Sequence, residues 1–210
     1  MTIILSIISP VLLGLACMGF GRATMGYLDA AGQHRPKIER LSLDLAVGMG
    51  VLGWMVFFVG IAGWFVPVAI WSLIGAGVGI LFLMYKTHPA KQIQTDLLTS
   101  TTKQAIAASS LLAIVLVMDL LEGVAPPADG DTLAFHATIP KYFTQIGRIE
   151  FLPSALTGAI PLLTHLLYTA AYIMGGELGM TLWLMLSGWV PAFLIYTFAR
   201  RYIDHPASLI

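Results

Sequence analysis

Six apolar runs, each close to the length of one bilayer crossing, make up most of this 210-residue chain. They are Ile3 to Phe20, Leu41 to Ile61, Pro67 to Tyr85, Gln104 to Leu121, Leu156 to Met174 and Leu178 to Ala199. A helix needs roughly 17 to 25 apolar residues to cross the hydrocarbon core. The pattern therefore predicts an all-α, polytopic transmembrane bundle of about six spans. Composition agrees. Only 10% of the residues are charged, against roughly 25% in an ordinary soluble domain, which leaves too little polar surface to cover a water-soluble globule. Eleven basic residues balance eleven acidic ones, so no bulk charge favours a nucleic-acid partner. The single cysteine, Cys17, excludes an internal disulfide and a multi-cysteine metal site. The first run ends near Leu15-Ala16-Cys17, loosely the shape of a lipoprotein cleavage box. No Lys or Arg precedes it, however, and Gly14 stands where that box has a branched aliphatic residue, so a retained first helix is expected.

Connections between the runs set the topology. Ala62-Gly63-Trp64-Phe65-Val66 is short and apolar and leads into the helix-starting Pro67, which predicts a tight hairpin between the second and third spans. Gly175-Gly176-Glu177 joins the fifth and sixth in the same way, with glycine as terminator. Arg22, Arg35, Lys37, Arg40, Lys86, Lys91 and Lys103 fall on one side of such a bundle, and Lys141, Arg148, Arg200 and Arg201 on the other. Basic residues collect on the cytoplasmic side, which puts the N-terminus and the loop 122–153 outside the cytoplasm. The chain then divides into N-terminal spans (1–121), an external loop (122–153), and a helix pair with a tail (154–210).

That loop differs in composition from the apolar runs around it and holds Asp129, Asp131, His136, Lys141, Arg148 and Glu150. Pro126 and Pro127 end the fourth helix, and Asp131 is placed to cap a short new one. Pro140 fits the first turn of a second short helix, with Tyr142, Phe143 and Ile146 on one face and Gly147 closing it. The expectation is two short interfacial helices broken near Ile139-Pro140, holding carboxylates and an imidazole at the water boundary.

The ordered set Pro126-Pro127, Asp131-x-Leu133-x-Phe135-His136, Ile139-Pro140-Lys141-Tyr142 and Gly147-Arg148-Ile149 resembles the first external loop of GT-C-fold polytopic glycosyltransferases. That group includes dolichyl-phosphate mannosyltransferases, aminoarabinose transferases and the bacterial RgtA/B/C/D-like proteins. Pro161, Leu167-Tyr168, Gly175-Gly176-Glu177 and Ala199-Arg200-Arg201 extend the likeness over roughly 80 residues. The resemblance implies transfer of a sugar from a polyprenyl-phosphate carrier to an acceptor on the outer face of a bacterial plasma membrane. Asp131 occupies the place of that family's essential loop carboxylate, which serves as a base for the acceptor hydroxyl or helps bind a cation. Lys141 and Arg148 become candidates for the carrier's phosphate. Members of the family have more membrane helices and a second acidic loop, so the chain reads as the N-terminal portion of such an enzyme.

Plainer roles stand beside these. Asp131 is equally suited to capping a helix. Asp129-Gly130-Asp131 is similar to an Asp-x-Asp metal motif, for a divalent cation, and also to an ordinary acidic turn. His136 is either a site group or an interfacial anchor, and Lys141 and Arg148 are either phosphate ligands or snorkelling anchors. His165, inside the fifth span, should face other helices as a hydrogen-bonded neutral residue. Asp119 and Glu122 share a face at the end of the fourth span, where they either line a cavity or are solvated end charges. The competing function is a non-catalytic membrane subunit or scaffold that keeps the helical module, followed by a transporter fragment.

Overall fold

The computed structural model describes residues 3–28, 36–87, 103–128, 130–153 and 163–199. Among these the elements are helices α1 (Ile3–Leu28), α2 (Lys37–Ile61), α3 (Pro67–Thr87), α4 (Lys103–Val124), a π-helical turn (Thr132–His136), α5 (Thr138–Ile146) and α6 (Leu163–Ala199). No strand occurs among the described residues, and five helices are long and apolar enough to cross a membrane. The protein is an all-α polytopic bundle, as the apolar runs require.

Helices α1, α2 and α3 pack backbone to backbone. A Cβ at Gly48 would overlap the Cys17 carbonyl, one at Gly21 the Asp44 carbonyl, and one at Gly19 the Gly77 carbonyl. Lipid tails are as apolar as the helices, so association rests on close van der Waals fit, which small residues permit. Contacts of 17 with 48 and of 21 with 44 make α2 antiparallel to α1, and α3 returns parallel to α1 with Phe20 and Ala16 against Gly77. Leu13, Ala16, Leu52, Val56, Ile70 and Ile74 are at most 1% exposed and form the core of this trio, with Leu166, Met174, Met180 and Trp183 added from α6.

Two helices run past the predicted ends. α1 continues beyond Phe20 to Leu28, and α2 begins at Lys37, ahead of Leu41. The basic residues Arg22, Lys37 and Arg40, expected in a loop, are helical. Arg22 meets the buried Asp44 carboxylate at 3.6 Å across the α1–α2 contact, which lets charged turns extend inside the bundle.

The predicted hairpin between the second and third spans is present. Ile61 ends α2, Pro67 opens α3, and the Trp64 amide donates to the Val59 carbonyl at 3.0 Å. Phe65 tucks back into the core while Trp64 stays exposed.

The predicted last pair of spans forms one element with a break. Gly176 has φ 65° and ψ −157°, a left-handed conformation that glycine adopts without steric cost, and the helix reverses there. Leu163 lies against Gly53 midway along α2, and Gly175 and Gly179 lie against Ser9 of α1. Trp183 then reaches Gly14, and Thr197 hydrogen-bonds Ser42 at 2.9 Å near the far end of α2. The first half thus rises toward the N-terminal end of α1 and the second descends parallel to it. The start of the fifth predicted span, residues 156–162, lies outside the described residues. α4 packs mainly on the descending half of α6 and is otherwise largely exposed.

Candidate functional site at one end of the bundle

Residues 130–153 fold over the end of the bundle that holds the start of α1 and the α2–α3 turn. The Phe65 amide donates to the Gly147 carbonyl and the Ile149 amide to the Gly60 carbonyl, both at 3.0 Å. Helix α5 is amphipathic. Ile139, Pro140 and Phe143 are buried, and Tyr142 and Ile146 pack half-buried on the core. Gly147 closes the helix in the left-handed conformation (φ 74°, ψ 12°), its amide donating to the Phe143 carbonyl at 2.9 Å, as the sequence predicts. The break between the two short elements comes at Ala137, slightly before Ile139-Pro140. There the Ala137 amide donates to the Thr132 carbonyl at 2.8 Å and completes a π-helical turn where a short α-helix was expected.

Asp131 precedes that turn but does not cap it. Its backbone is already helical (φ −73°, ψ −41°), whereas a capping residue needs an extended backbone to swing its side chain over the first amides. The carboxylate makes no capping hydrogen bond and is exposed. Asp129 lies outside the described residues. Among the described residues no three or more of His, Cys, Asp and Glu come together as a metal-ligand group.

The two candidate phosphate ligands are engaged by carboxylates. Lys141 Nζ donates to Glu177 Oε2 at 2.8 Å, joining α5 to the reversal in α6, and Arg148 donates to Glu150 at 3.1 Å. Both pairs are substantially exposed.

Next to this segment, between α4 and the descending half of α6, lies a cavity of about 560 Å³. Asp119 and Glu122 line it from α4, Thr181, Met185 and Trp189 from α6, and residues 125–128 with Thr132 from the loop. Spaced three apart, the two carboxylates lie on one face of α4, the arrangement that placed them together in the sequence. The Trp189 indole donates to Asp119 at 2.9 Å, and the Thr181 hydroxyl donates to the Gly123 carbonyl at 2.7 Å. Asp131, His136, Lys141 and Arg148 are not among the lining residues; Thr132, which follows Asp131 in the chain, is.

His136 serves a different cluster. Its Nδ1 lies 3.0 Å from Nε2 of His165, and the Tyr168 ring meets both imidazoles edge-on. His165 is 5% exposed, a buried hydrogen-bonded residue as expected of a histidine inside a span. Reading each histidine alone missed the pair. The usable signal was that an imidazole inside a membrane helix needs a polar partner, and the loop holds His136. In comparisons with protein-family models, with curated proteins and with solved structures, no match to this chain was found.

Proposed function

We propose that the protein is a membrane glycosyltransferase, or the N-terminal portion of one, that transfers a sugar from a polyprenyl-phosphate carrier to an acceptor on the outer face of a bacterial plasma membrane. One observation carries the reading: the cavity of about 560 Å³ between two membrane helices, walled by the loop that bears Asp131. Its volume is in the range of small-molecule sites, roughly 300 to 1,000 Å³. Its position lets a polyprenyl chain lie along α4 and α6 in the bilayer while a polar head enters from the side. Carboxylates of Asp119 and Glu122 are acceptors suited to sugar hydroxyls. On this reading Asp131 takes the proton of the acceptor hydroxyl as the anomeric carbon parts from the phosphate. Lys141 is 31% exposed in its pair with Glu177, and because exposed pairs are weak a phosphate competes for it readily. The excess of basic residues at the opposite end supports an external loop.

The engagement of both Lys141 and Arg148 by carboxylates favours the second reading, a non-catalytic membrane subunit. Replacing Asp131 separates the two. In membranes supplied with a labelled polyprenyl-phosphate sugar, Asp131→Asn is expected to reduce transfer by about 10² to 10⁴, the usual contribution of a general base. Asp129→Asn, which removes the same charge two residues away, is the matched control. Full transfer by Asp131→Asn contradicts the catalytic assignment.

A further inference from the structure

The contact between His136 and His165 is a hydrogen bond between the ring nitrogens of two nearly parallel imidazoles. The ring planes are 13° apart and the centroids 5.0 Å apart, while the facing nitrogens are 3.0 Å apart. At that nitrogen separation the two imidazoles share one proton. One facing nitrogen must carry hydrogen and the other a lone pair.

This bond has a specific mechanical place. Helix α5 has its own attachments: buried Ile139 and Phe143, the Lys141–Glu177 pair, and the backbone bonds of Gly147 and Ile149 to the α2–α3 turn. The π-helical turn before it has no fully buried residue: Phe135 packs half-buried against the core, and His136 ties the turn to α6 by a side-chain hydrogen bond. The turn also carries Thr132 at the cavity wall and follows directly on Asp131. π-Helical turns are rare and are frequent at functional sites.

The geometry points to a proton-operated latch, in which the His136–His165 bond holds the π-helical turn against α6 and protonation of both imidazoles releases it, moving Thr132 at the cavity wall and Asp131 beside it in the chain. The proton count sets the sense of the switch. In the neutral pair, one hydrogen lies between the rings. A first added proton gives an imidazolium donating to a neutral imidazole, and the bond survives. A second puts hydrogen on both facing nitrogens, so the lone pair is lost and two cations face each other beside a buried wall. The latch is closed at neutral pH and opens in acid. Surrounding groups leave this sense unchanged. Tyr168 contacts both rings, and Lys141 and Glu177 neutralise each other. Tyr142 lies on α5, Asp131 precedes the turn, and Asp119 and Glu122 face the cavity. Cys17 is the sole titratable side chain from Ile3 to Met18 of α1, and from Leu45 to Ile61 of α2 there is none.

The test needs no assay of transfer, so its failure is distinct from failure of the proposed activity. Spin labels on Leu133→Cys in the turn and Ala192→Cys on α6, both exposed positions, report their separation in a Cys17→Ala background by pulsed electron resonance. Spectra are compared from about pH 8 down to about pH 3, because a second proton entering a buried pair that already carries one positive charge needs more acid than a free imidazole. The expected result is a single distance at the higher pH and a longer population at the lower, reversible on return. His136→Gln should abolish the response. His136 is half-buried and tolerates exchange better than His165, so this variant carries the test if His165→Gln does not fold. Cross-hydrogen-bond coupling between nitrogens in ¹⁵N-histidine-labelled protein should be present near neutral pH and absent in His136→Gln. An unchanged distance across the range, an irreversible change, or the same shift in His136→Gln overturns the latch.

Discussion

The indole Nε1 of Trp189 donates to Oδ2 of Asp119 at 2.9 Å, joining the descending half of α6 to α4 across the wall of the cavity. α4 has few other partners, so this bond and that of Thr181 to Gly123 hold it in place. Interhelical hydrogen bonds in membrane proteins average about 0.6 kcal/mol and reach about 1.7, and a charged acceptor belongs toward the upper part of that range. A double-mutant cycle with Trp189→Phe and Asp119→Ala is expected to give a coupling of about 1 kcal/mol in reversible unfolding from mild detergent. Additivity of the two changes would show that the bond contributes nothing.

Backbone contact between α1 and α2 makes Gly48 intolerant of a side chain. A methyl there would overlap the Cys17 carbonyl, which belongs to a helix backbone and cannot turn aside. Gly48→Ala should destabilise the bundle by about 1 to 3 kcal/mol, the usual cost of overpacking. Gly50→Ala, two residues on and with nothing within 4 Å of its would-be Cβ, should be neutral or slightly stabilising. Equal effects of the two in thermal unfolding would refute the close packing.

Much of this architecture is legible from particular residues. The apolar runs give the helices, Pro67 and Gly147 mark element ends, and Gly176 marks the reversal, because each acts through its own backbone restriction. What faces what is far less legible. In water a helix displays its buried stripe by its polar remainder, but a membrane helix is apolar all round and its interior face carries no such contrast. The glycines at positions 19, 21, 48 and 77 therefore gave no warning of which carbonyls they approach. Asp131 looked like a cap because its residue type suits one, yet its backbone is already helical. The cavity depends on Trp189, 70 residues beyond Asp119, and the histidine pair on residues 29 apart, separations that local patterns do not reach.

Lys141 and Glu177 form an exposed pair, so its loss should cost little. Lys141→Gln is expected to lower stability by less than about 1 kcal/mol, with a difference that shrinks as salt is raised. Melting curves at low and high salt decide this. A loss of several kcal/mol would mean that the pair, and not the buried face of α5, fixes the loop.

Thr138 and Lys86 lie at opposite ends of the bundle. In a Cys17-free background, Thr138→Cys should react with an impermeant thiol reagent added to intact cells, and Lys86→Cys should react once the membrane is opened. Reaction of Lys86→Cys in intact cells reverses the orientation inferred from the basic residues.

The central claim, that the cavity between α4 and α6 receives a polyprenyl-phosphate sugar, is tested most directly by photocrosslinking. A polyprenyl-phosphate sugar with a photoreactive group beside its phosphate would be bound to the purified protein in lipid nanodiscs, irradiated, and mapped by mass spectrometry. The account predicts adducts on residues 119–132 and 181–189, suppressed by excess unmodified polyprenyl-phosphate sugar and weakened by Glu122→Gln. Adducts spread along the lipid-facing surfaces of α3 and α4, unaffected by the competitor, would contradict it.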